Sequence, residues 1–395
     1  MKSVTAISAT ILFVTAGCVG CKPSGITSND IITVDVTASY PKKELILQDC
    51  FDVEYVPLET TDEFITRANI QTISKDFIIT RNGARNGEIF IFDRKGKGVR
   101  VINRFGQGAN EYSSILGLTL DEEYGEIFVN NYLSRNIPVY DLERNYKRTL
   151  KNEESISYDQ INNFDRDNLI CVDGDNIFDD VKRNIFRIIS KQDGSVIKEI
   201  QIIYKEKRLP KVVHNENAEY ISHARNWLII PYGDSRVLVD TSSDTIYKFQ
   251  PDHNMVPFMI RTPSIQSMYP GVFLFPGVLT DRYYFMETVK TEYNFETTEG
   301  WPSIDLMYDR QEKAIFEHVI YNDDFSTKRP VNTAFELTPL AYDLIDKEVA
   351  FAEKIEAFEL VEAYKEGKLK GRLAEIAAGL DEEDNAVIML AKHKK

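Results

Sequence analysis

Apolar and polar positions follow a unit that recurs along the chain. Each unit has an apolar run, a polar turn and a second run in which apolar residues alternate with polar ones. Five units begin 48 to 61 residues apart, and they span Glu88–Ile102, Asn136–Leu150, Asn184–Ile200, Thr245–Ile260 and Ser303–Ile320. Short runs joined by a polar turn predict β-hairpins. Their repetition at this spacing is typical of the blades of a β-propeller.

Further apolar runs lie between the hairpins. They are Phe77–Thr80, Glu126–Val129, Leu169–Val172, Trp227–Ile230 and Tyr283–Met286. A strand that is apolar along its whole length is packed on both faces, as a strand between neighbouring blades would be. We therefore predict that these runs form the inner strands of the blades.

Five hairpins make five blades, so a sixth blade has to close the ring. The strands left for it are Val53–Leu58 near the start of the chain and Ala386–Leu390 near its end. Pairing the first and last strands in one blade removes the exposed edge of an open sheet. The predicted fold is all-β: a six-bladed, NHL-like β-propeller over residues 31–395.

One segment breaks the β pattern. From Leu340 to Phe358 apolar residues recur every three or four positions, which predicts an amphipathic helix, with Thr338 as its N-cap and Pro339 in its first turn. A second helix is predicted over Leu369–Leu380. Together they form a helical insertion over about residues 338–380, before the closing strand. Its apolar side is expected to pack on the propeller; the alternative is a lid or a partner-binding helix.

The N-terminus has the features of an export signal. Lys2 precedes an apolar run from Val4 to Ala16, which is too short to span a membrane, and small residues lead to Cys18. We predict a lipoprotein signal peptide over residues 1–17, lipidation of Cys18 (alternative Cys21) and a polar tether over residues 18–30. The protein would then be an outer-membrane lipoprotein of the cell envelope. The alternative is a secretory signal without lipid.

The net charge limits the classes of partner that the protein can bind, and the cysteine content bears on disulfide formation. The net charge of −15 argues against binding to nucleic acid and to an anionic membrane surface, so membrane contact is expected only through the lipid. The remaining cysteines, Cys50 and Cys171, are expected to be free thiols, with a disulfide as the alternative in an exported protein. We expect a monomer.

No catalytic motif is found in the sequence. There is no G-x-S-x-G elbow, no H-E-x-x-H and no phosphate-binding loop. An acidic group could bind Ca²⁺, although it lacks EF-hand spacing and solvated turns are the favoured interpretation; it comprises Asp165, Asp167, Asp173, Asp175, Asp179 and Asp180. Aromatic residues near loops are more simply core than a sugar platform; they are Tyr269, Phe273, Phe275, Tyr293, Phe295 and Trp301. We predict no cofactor.

The glycine-rich stretch from Arg104 to Tyr112 is the sharpest local motif. Gly106 and Gly108 permit a tight backbone path, and Arg104 is expected to pair with Glu111 across the loop while Tyr112 anchors it. The favoured interpretation is a structural clamp between blades. The alternative is a ligand site at the rim.

Three motifs carry a family resemblance. They are Arg104–Tyr112, Val53–Thr60 and Glu383–Val387. In these stretches the chain resembles the six-bladed β-propeller lipoproteins of Gram-negative gut bacteria, over about residues 31 to 395. Ala109-Asn110 stands where that family has Pro-Gly, and Ala386 where it has Pro. The resemblance implies the propeller fold and a lipid anchor, and it implies no particular activity.

Two functions follow as hypotheses. The first is a binding or scaffold module, which recognises an envelope protein or an oligosaccharide through one face of the propeller. The second is an enzyme, a polysaccharide lyase or glycoside hydrolase with its site in the central channel, which would need carboxylates or a His/Arg/Tyr set from several blades. The missing motifs favour the binding module.

Overall fold

The computed structural model describes residues 31–153, 156–174, 182–214, 221–224, 226–334 and 342–394. Within these ranges the chain folds mainly into β-strands. Five antiparallel sheets each contain four strands that follow one another in the chain and hydrogen-bond in that order. The first strands of successive sheets contact one another and form the inner ring. These sheets are blades 1 to 5 of the propeller.

The strands of each blade are given from the innermost to the outermost. Blade 1 contains Asn69–Ile73, Phe77–Arg81, Glu88–Asp93 and Gly98–Asn103; blade 2 contains Gly117–Asp121, Glu126–Asn130, Asn136–Asp141 and Tyr146–Lys151; blade 3 contains Tyr158–Asn163, Asn168–Asp173, Phe186–Ser190 and Val196–Ile200; blade 4 contains Ile229–Tyr232, Ser235–Leu238, Thr245–Phe249 and Met255–Thr262; blade 5 contains Val272–Leu279, Tyr283–Lys290, Ser303–Asp309 and Ala314–Asn322.

The five predicted hairpins are confirmed as the third and fourth strands of these blades. The apolar runs lie inside the blades as predicted, and in four blades they form the second strand. Only the run Trp227–Ile230 overlaps an innermost strand. The innermost strands of blades 1 to 3 include buried polar residues such as Gln71, Thr119 and Gln160. Those polar residues hid the strands from a search for continuous apolar runs.

Blade 6 closes the ring as predicted. Its strands, from the inside outward, are Val349–Ile355, Val387–His393 and Phe51–Pro57. Antiparallel pairing joins Tyr55 to Met389, so the first and last parts of the chain share one sheet. The molecule is therefore a six-bladed β-propeller.

The innermost position of blade 6 is filled in an unusual way. A two-residue strand, Asp343–Leu344, pairs in parallel with Thr72 and Ile73 of blade 1 instead of with its own blade. The chain then turns at Asp346 and continues into the strand Val349–Ile355. This segment links the last blade to the first at the axis as well as at the rim.

The helix predicted from Leu340 to Phe358 was wrong for most of its length. Its second half is the strand Val349–Ile355, which is buried because it packs between blades 5 and 1 and pairs with Val387–His393. The helix begins at Ala357, and the proposed cap residues Thr338 and Pro339 lie outside the described residues. The insertion instead consists of the helices Ala357–Lys365 and Gly371–Ala377, the second inside the range predicted for it.

Two N-terminal strands were not predicted. Ile32–Asp35 runs parallel to the outermost strand of blade 4, and Lys42–Ile46 runs parallel to the outermost strand of blade 5. A single helical turn, Leu47–Cys50, then leads into blade 6. The start of the chain thus wraps the outer edges of blades 4 and 5, which covers those edges.

Smaller elements lie in the connections between the strands of the blades. They are the hairpins Lys211–Val213 with Ile221–His223 and Tyr293–Asn294 with Glu299–Gly300, the edge strand Arg329–Pro330, and the 3₁₀ turns Tyr132–Ser134 and Ile265–Ser267.

Both cysteines of the described body are free, as expected. Cys171 is buried, which raises the pKa of its thiol and makes it unreactive. No helix in the described ranges is long and apolar enough to cross a bilayer.

The two faces of the propeller differ in their connections. Because strand direction alternates, the links from first to second and from third to fourth strands of blades 1 to 5 lie on one side, together with residues 345–348 before Val349–Ile355, and they contain two to five residues. We call this side the tight-turn face. The remaining links lie on the opposite side and contain five to 31 residues. We call it the long-loop face; it carries the glycine-rich loop, both inserted hairpins and the two helices.

Candidate functional site

The glycine-rich loop joins blade 1 to blade 2 on the long-loop face. Tyr112 is fully buried, and its hydroxyl donates to the carbonyl of Gly87 at 2.6 Å and accepts from the backbone N–H of Arg104 at 3.0 Å. Its ring packs edge-on against Tyr140 of blade 2. The Arg104 side chain donates to the carbonyl of Arg144, also in blade 2, at 3.1 Å. The loop therefore ties the two blades together.

Arg104 does not pair with Glu111, contrary to our expectation. Glu111 turns inward on its own loop and accepts from the backbone N–H of Gly108 at 2.8 Å. A Cβ atom on Gly106 would lie 1.9 Å from the same carboxylate oxygen, so a larger residue here would displace the Glu111 side chain from its present position. These contacts support the clamp interpretation. A ligand role for the loop stays a prediction.

The described members of the acidic group considered for Ca²⁺ are engaged in separate contacts. Asp165 precedes the strand Asn168–Asp173 and accepts from the backbone of Asp167, whereas Asp173 ends that strand and accepts from Arg187 at 2.5 Å. The other three, Asp175, Asp179 and Asp180, lie outside the described residues. Within the described ranges no three His, Cys, Asp or Glu side chains are close enough to hold a metal ion.

The buried carboxylate of Asp343, on the innermost strand Asp343–Leu344, already has hydrogen-bond partners within the protein. Asp343 is buried; its carboxylate accepts from the hydroxyl of Thr119 in blade 2 at 2.6 Å and from the backbone N–H of Asn163 in blade 3 at 2.7 Å. Its backbone pairs with blade 1. Asp343 therefore holds three blades together. This use of its carboxylate does not favour the enzyme hypothesis, which requires reactive groups in the channel.

The long-loop face does contain a cleft of ligand size. It lies where blades 6, 1 and 2 meet and has a volume of about 780 Å³. Its walls are formed by Thr66, Arg67, Asn69, Arg81, Asn82, Gly83, Ala84, Leu116, Lys354, Glu356 and Phe358. We call it the Arg81 cleft. Small-molecule sites commonly have volumes of about 300–1,000 Å³.

Arg81 is the most unusual residue of this cleft. It ends the second strand of blade 1 and is only 2% exposed. Its guanidinium donates to the carbonyls of Asn82 at 3.1 Å and Leu116 at 3.4 Å, while its Nε–H has no partner among the described residues. No carboxylate pairs with it in that part of the chain. Burial without a counter-charge lowers the pKa of Arg81 to about 10.

Other cationic groups stand around Arg81. Arg67 is exposed at the rim and forms no ion pair with the described residues. Lys354 donates to the carbonyl of Arg67 at 3.1 Å and pairs with Glu356 at 2.5 Å. Three cations and one carboxylate thus line the cleft. The cleft is cationic although the chain as a whole carries −15.

The wall that carries Thr66 and Arg67 is fixed by two of the sequence motifs. Asn385 of the Glu383–Val387 motif is buried; its amide donates to the carbonyls of Glu59 at 2.7 Å and Phe64 at 2.6 Å, and accepts from the backbone N–H of Thr66 at 2.9 Å. Glu59 belongs to the Val53–Thr60 motif. Motifs distant in the chain therefore meet beside the cleft and hold its wall.

Backbone strain marks the same wall. Ala68 is fully buried and has φ = 50°, a conformation that alanine rarely adopts. The hydroxyl of Thr66 accepts from its N–H at 2.9 Å, and Asn82 accepts from the N–H of Arg67 at 2.7 Å. Such strain persists only where surrounding contacts enforce it, and it is frequent at functional sites.

The structure separates the aromatic residues that were interpreted as core, with a sugar platform as the alternative. Phe273 and Phe275 are buried in blade 5, as core. Tyr293 packs on Phe295 and Trp301 in an inserted hairpin, and Tyr269 is 97% exposed. The aromatic residue at the Arg81 cleft is Phe358, 52% exposed, which we had assigned to a helix end.

A second cavity, of about 360 Å³, lies on the tight-turn face between blades 2 and 3. Its charges are compensated: Lys191 pairs with Asp121 at 2.6 Å, and Arg148 pairs with Glu126 at 2.6 Å. This cavity is thus held by internal ion pairs. The Arg81 cleft has a buried charge that nothing in the described chain neutralises.

Comparison with known proteins agrees with the fold. A family model described as "6-bladed beta-propeller" (DUF5128) matches residues 23–337. The chain belongs to this family, which confirms the resemblance found in the sequence. No curated protein sequence matches the chain.

One solved structure of similar architecture supports the fold. A Bacteroides fragilis protein named as exported is 14% identical and superposes with a TM-score of 0.62 over 92% of this chain and 100% of its own. A DUF4221 protein from Bacteroides vulgatus is 11% identical, with a TM-score of 0.48 over 88% of this chain and 98% of its own. The first likeness supports the fold, and neither identifies an activity.

Proposed function

We propose that this protein is a lipid-anchored binding module of the cell envelope, which captures a glycan or an envelope protein on its long-loop face. The observation that carries the proposal is the asymmetry of the propeller. Every long connection and the 780 Å³ cleft lie on one face, whereas the other is closed by turns of two to five residues. Binding residues are commonly carried by loops on a rigid scaffold.

The placement of the N-terminal strand supports this arrangement. Ile32–Asp35 is parallel to Met255–Thr262, which runs from the tight-turn face toward the long-loop face. The chain therefore enters its first strand from the tight-turn side. An anchor at Cys18, or at Cys21, would hold the propeller from that side and leave the long-loop face directed away from the membrane. The exported relative in Bacteroides fragilis is consistent with an envelope location.

The anchor is tested by fractionation. We expect Cys18→Ser to move the protein from the membrane pellet to the soluble fraction, because stable anchoring needs the acyl chains on that cysteine. The readout is an immunoblot of both fractions, with Cys50→Ser as the control that stays in the pellet. Full retention of Cys18→Ser would reject Cys18, and release by Cys21→Ser would transfer the lipid to Cys21.

The binding face is tested by oriented attachment. Single cysteines are introduced in the full chain freed of Cys18, Cys21 and Cys50 by serine substitution. Lys75→Cys lies in the turn between the first two strands of blade 1, on the tight-turn face, and Glu383→Cys lies on the long-loop face; both side chains are exposed. Protein attached through residue 75 leaves the long-loop face open. We expect it to capture envelope glycan or protein in surface plasmon resonance, while protein attached through residue 383 loses most of that capture.

Equal capture in both orientations would contradict the proposed face. Capture only by protein attached through residue 383 would place the binding surface on the tight-turn side. In either case the melting temperatures of the two variants provide the folding control.

A further inference from the structure

A buried cation without a counter-ion is the feature of this molecule that most needs a ligand. Arg81 is 2% exposed and makes two hydrogen bonds, both to neutral carbonyls. A buried charge left unpaired costs several kcal/mol, which is why buried charges are normally paired. Arg187 and Arg261 follow that rule, since they pair with Asp173 and Asp244. Arg236, at 9% exposed, is less deeply buried and donates to the carbonyls of Ser235 and Asn163. Arg81 has no carboxylate partner among the described residues.

The free donors of Arg81 are those that an anion would use. An arginine side chain carries five N–H donors in a planar fork. The Nε–H of Arg81 is unpartnered, and the residue forms part of the cleft wall. A carboxylate matches this fork with two parallel hydrogen bonds, and a charge-assisted pair of that kind is about twice as strong as a neutral one.

The rim of the cleft also favours a negatively charged ligand. Arg67 and Lys354 stand at its edge, and Glu356 offsets only one of them. Because the chain carries −15 overall, a local excess of cations is a specific feature and does not follow from composition. Such an excess raises the local concentration of an anionic ligand.

The remaining wall residues favour a sugar as the carrier of that carboxylate. Asn69 and Asn82 offer amides, Thr66 offers a hydroxyl, and Phe358 presents a half-exposed ring. Amides and hydroxyls bind sugar hydroxyls, and an aromatic ring stacks on the apolar face of a pyranose. We propose that the Arg81 cleft binds a uronic-acid unit of an acidic oligosaccharide, with the sugar carboxylate on the guanidinium of Arg81. This assignment rests on the proposed binding function.

The test is titration calorimetry with matched sugars. The probes are tri-galacturonic acid, tri-guluronic acid, the methyl ester of tri-galacturonic acid and maltotriose, titrated into the full chain carrying Cys18→Ser and Cys21→Ser. We expect at least one acid to bind and the ester and neutral trisaccharide to bind about 10- to 100-fold more weakly, because they lack the charged partner of Arg81. Equal binding of acid and ester would overturn the assignment, as would no binding of either acid.

Substitutions then test whether Arg81 is the residue that binds the sugar carboxylate. We expect Arg81→Met to reduce affinity for the acid about 10- to 100-fold. Arg85→Met is the matched control, because Arg85 is an exposed arginine four residues away that does not form part of the cleft wall. Wild-type affinity in Arg81→Met would overturn the assignment. If Arg81→Met fails to fold, Arg67→Ala and Lys354→Ala replace it, and the assignment requires both to weaken the acid and to leave maltotriose unchanged.

Failure of this inference can be distinguished from failure of the proposed function. If the protein attached through residue 75 captures a neutral glycan or an acidic peptide, and no uronate competes, the uronate assignment is wrong and the binding module stands. If attachment through residue 383 captures as well as attachment through residue 75, the proposed face is wrong independently of Arg81.

Discussion

A chain truncated by residues 384–395 is expected to lose its cooperative thermal transition and to aggregate. The deletion removes Val387–His393, the middle strand of blade 6, and leaves Val349–Ile355 and Phe51–Pro57 without their common partner. Residues 387 to 391 are fully buried. Burying large aliphatic side chains contributes about 1.5–3 kcal/mol each, so the loss is comparable to a typical total stability of about 5–15 kcal/mol.

Circular dichroism melting and light scattering measure this effect. The control is a chain that ends at His393, which keeps the whole strand and lacks only the two residues after it. A truncated chain that melts as the full chain does would show that blade 6 is not needed to close the ring. Two open strand edges also favour association between copies, so a rise in scattering should accompany the lost transition.

The fold could be predicted from sequence where the signal is local. The third and fourth strands of blades 1 to 5 are joined by short polar turns, and each hairpin is visible in a window of about 15 residues. The closure of blade 6 was predictable because a ring with five hairpins leaves its first and last strands unpaired. The segment Val349–Ile355 was mistaken for a helix because it is buried along most of its length, so period-two alternation is absent.

The cleft could not be predicted, because its chemistry is created by distant parts of the chain. In the sequence Arg81 ends an apolar strand and resembles an ordinary exposed charge. In the structure it is buried, donates to the carbonyl of Leu116 before blade 2, and shares the cleft wall with Lys354 of blade 6 and Phe358 of the helix Ala357–Lys365. The one available signal was indirect: the Val53–Thr60 and Glu383–Val387 motifs, noted for their family resemblance, meet at Asn385 and hold the cleft wall.

The two cavities show opposite uses of buried charge. On the tight-turn face Lys191 is 5% exposed and donates to Asp121 at 2.6 Å and to the carbonyl of Asp165 at 2.7 Å, so one ammonium group joins blade 2 to blade 3. On the long-loop face Arg81 makes no ion pair within the described chain. The first arrangement stabilises the protein. The second costs stability, and the proposed ligand would offset that cost, so substitutions at the two sites should have opposite effects.

We expect Lys191→Met to lower the free energy of unfolding by about 3–5 kcal/mol, because it leaves the carboxylate of Asp121 buried without its partner. For a chain of this size the melting temperature should fall by roughly 5 °C. Ligand binding by the folded protein should be unchanged, since Lys191 lies on the opposite face. Arg81→Met should do the reverse: it removes an unpaired buried charge, so the melting temperature should hold or rise while binding is lost.

Calorimetric melting of both variants measures the contrast. Lys347→Met is the control, because Lys347 pairs with Asp234 on the same face while both side chains are at least 65% exposed, and such a pair contributes at most about 1 kcal/mol. Adding Asp121→Leu to Lys191→Met should restore part of the loss, since the stranded carboxylate is then removed. A Lys191→Met protein that melts with the parent would show that the buried pair does not join blades 2 and 3 energetically.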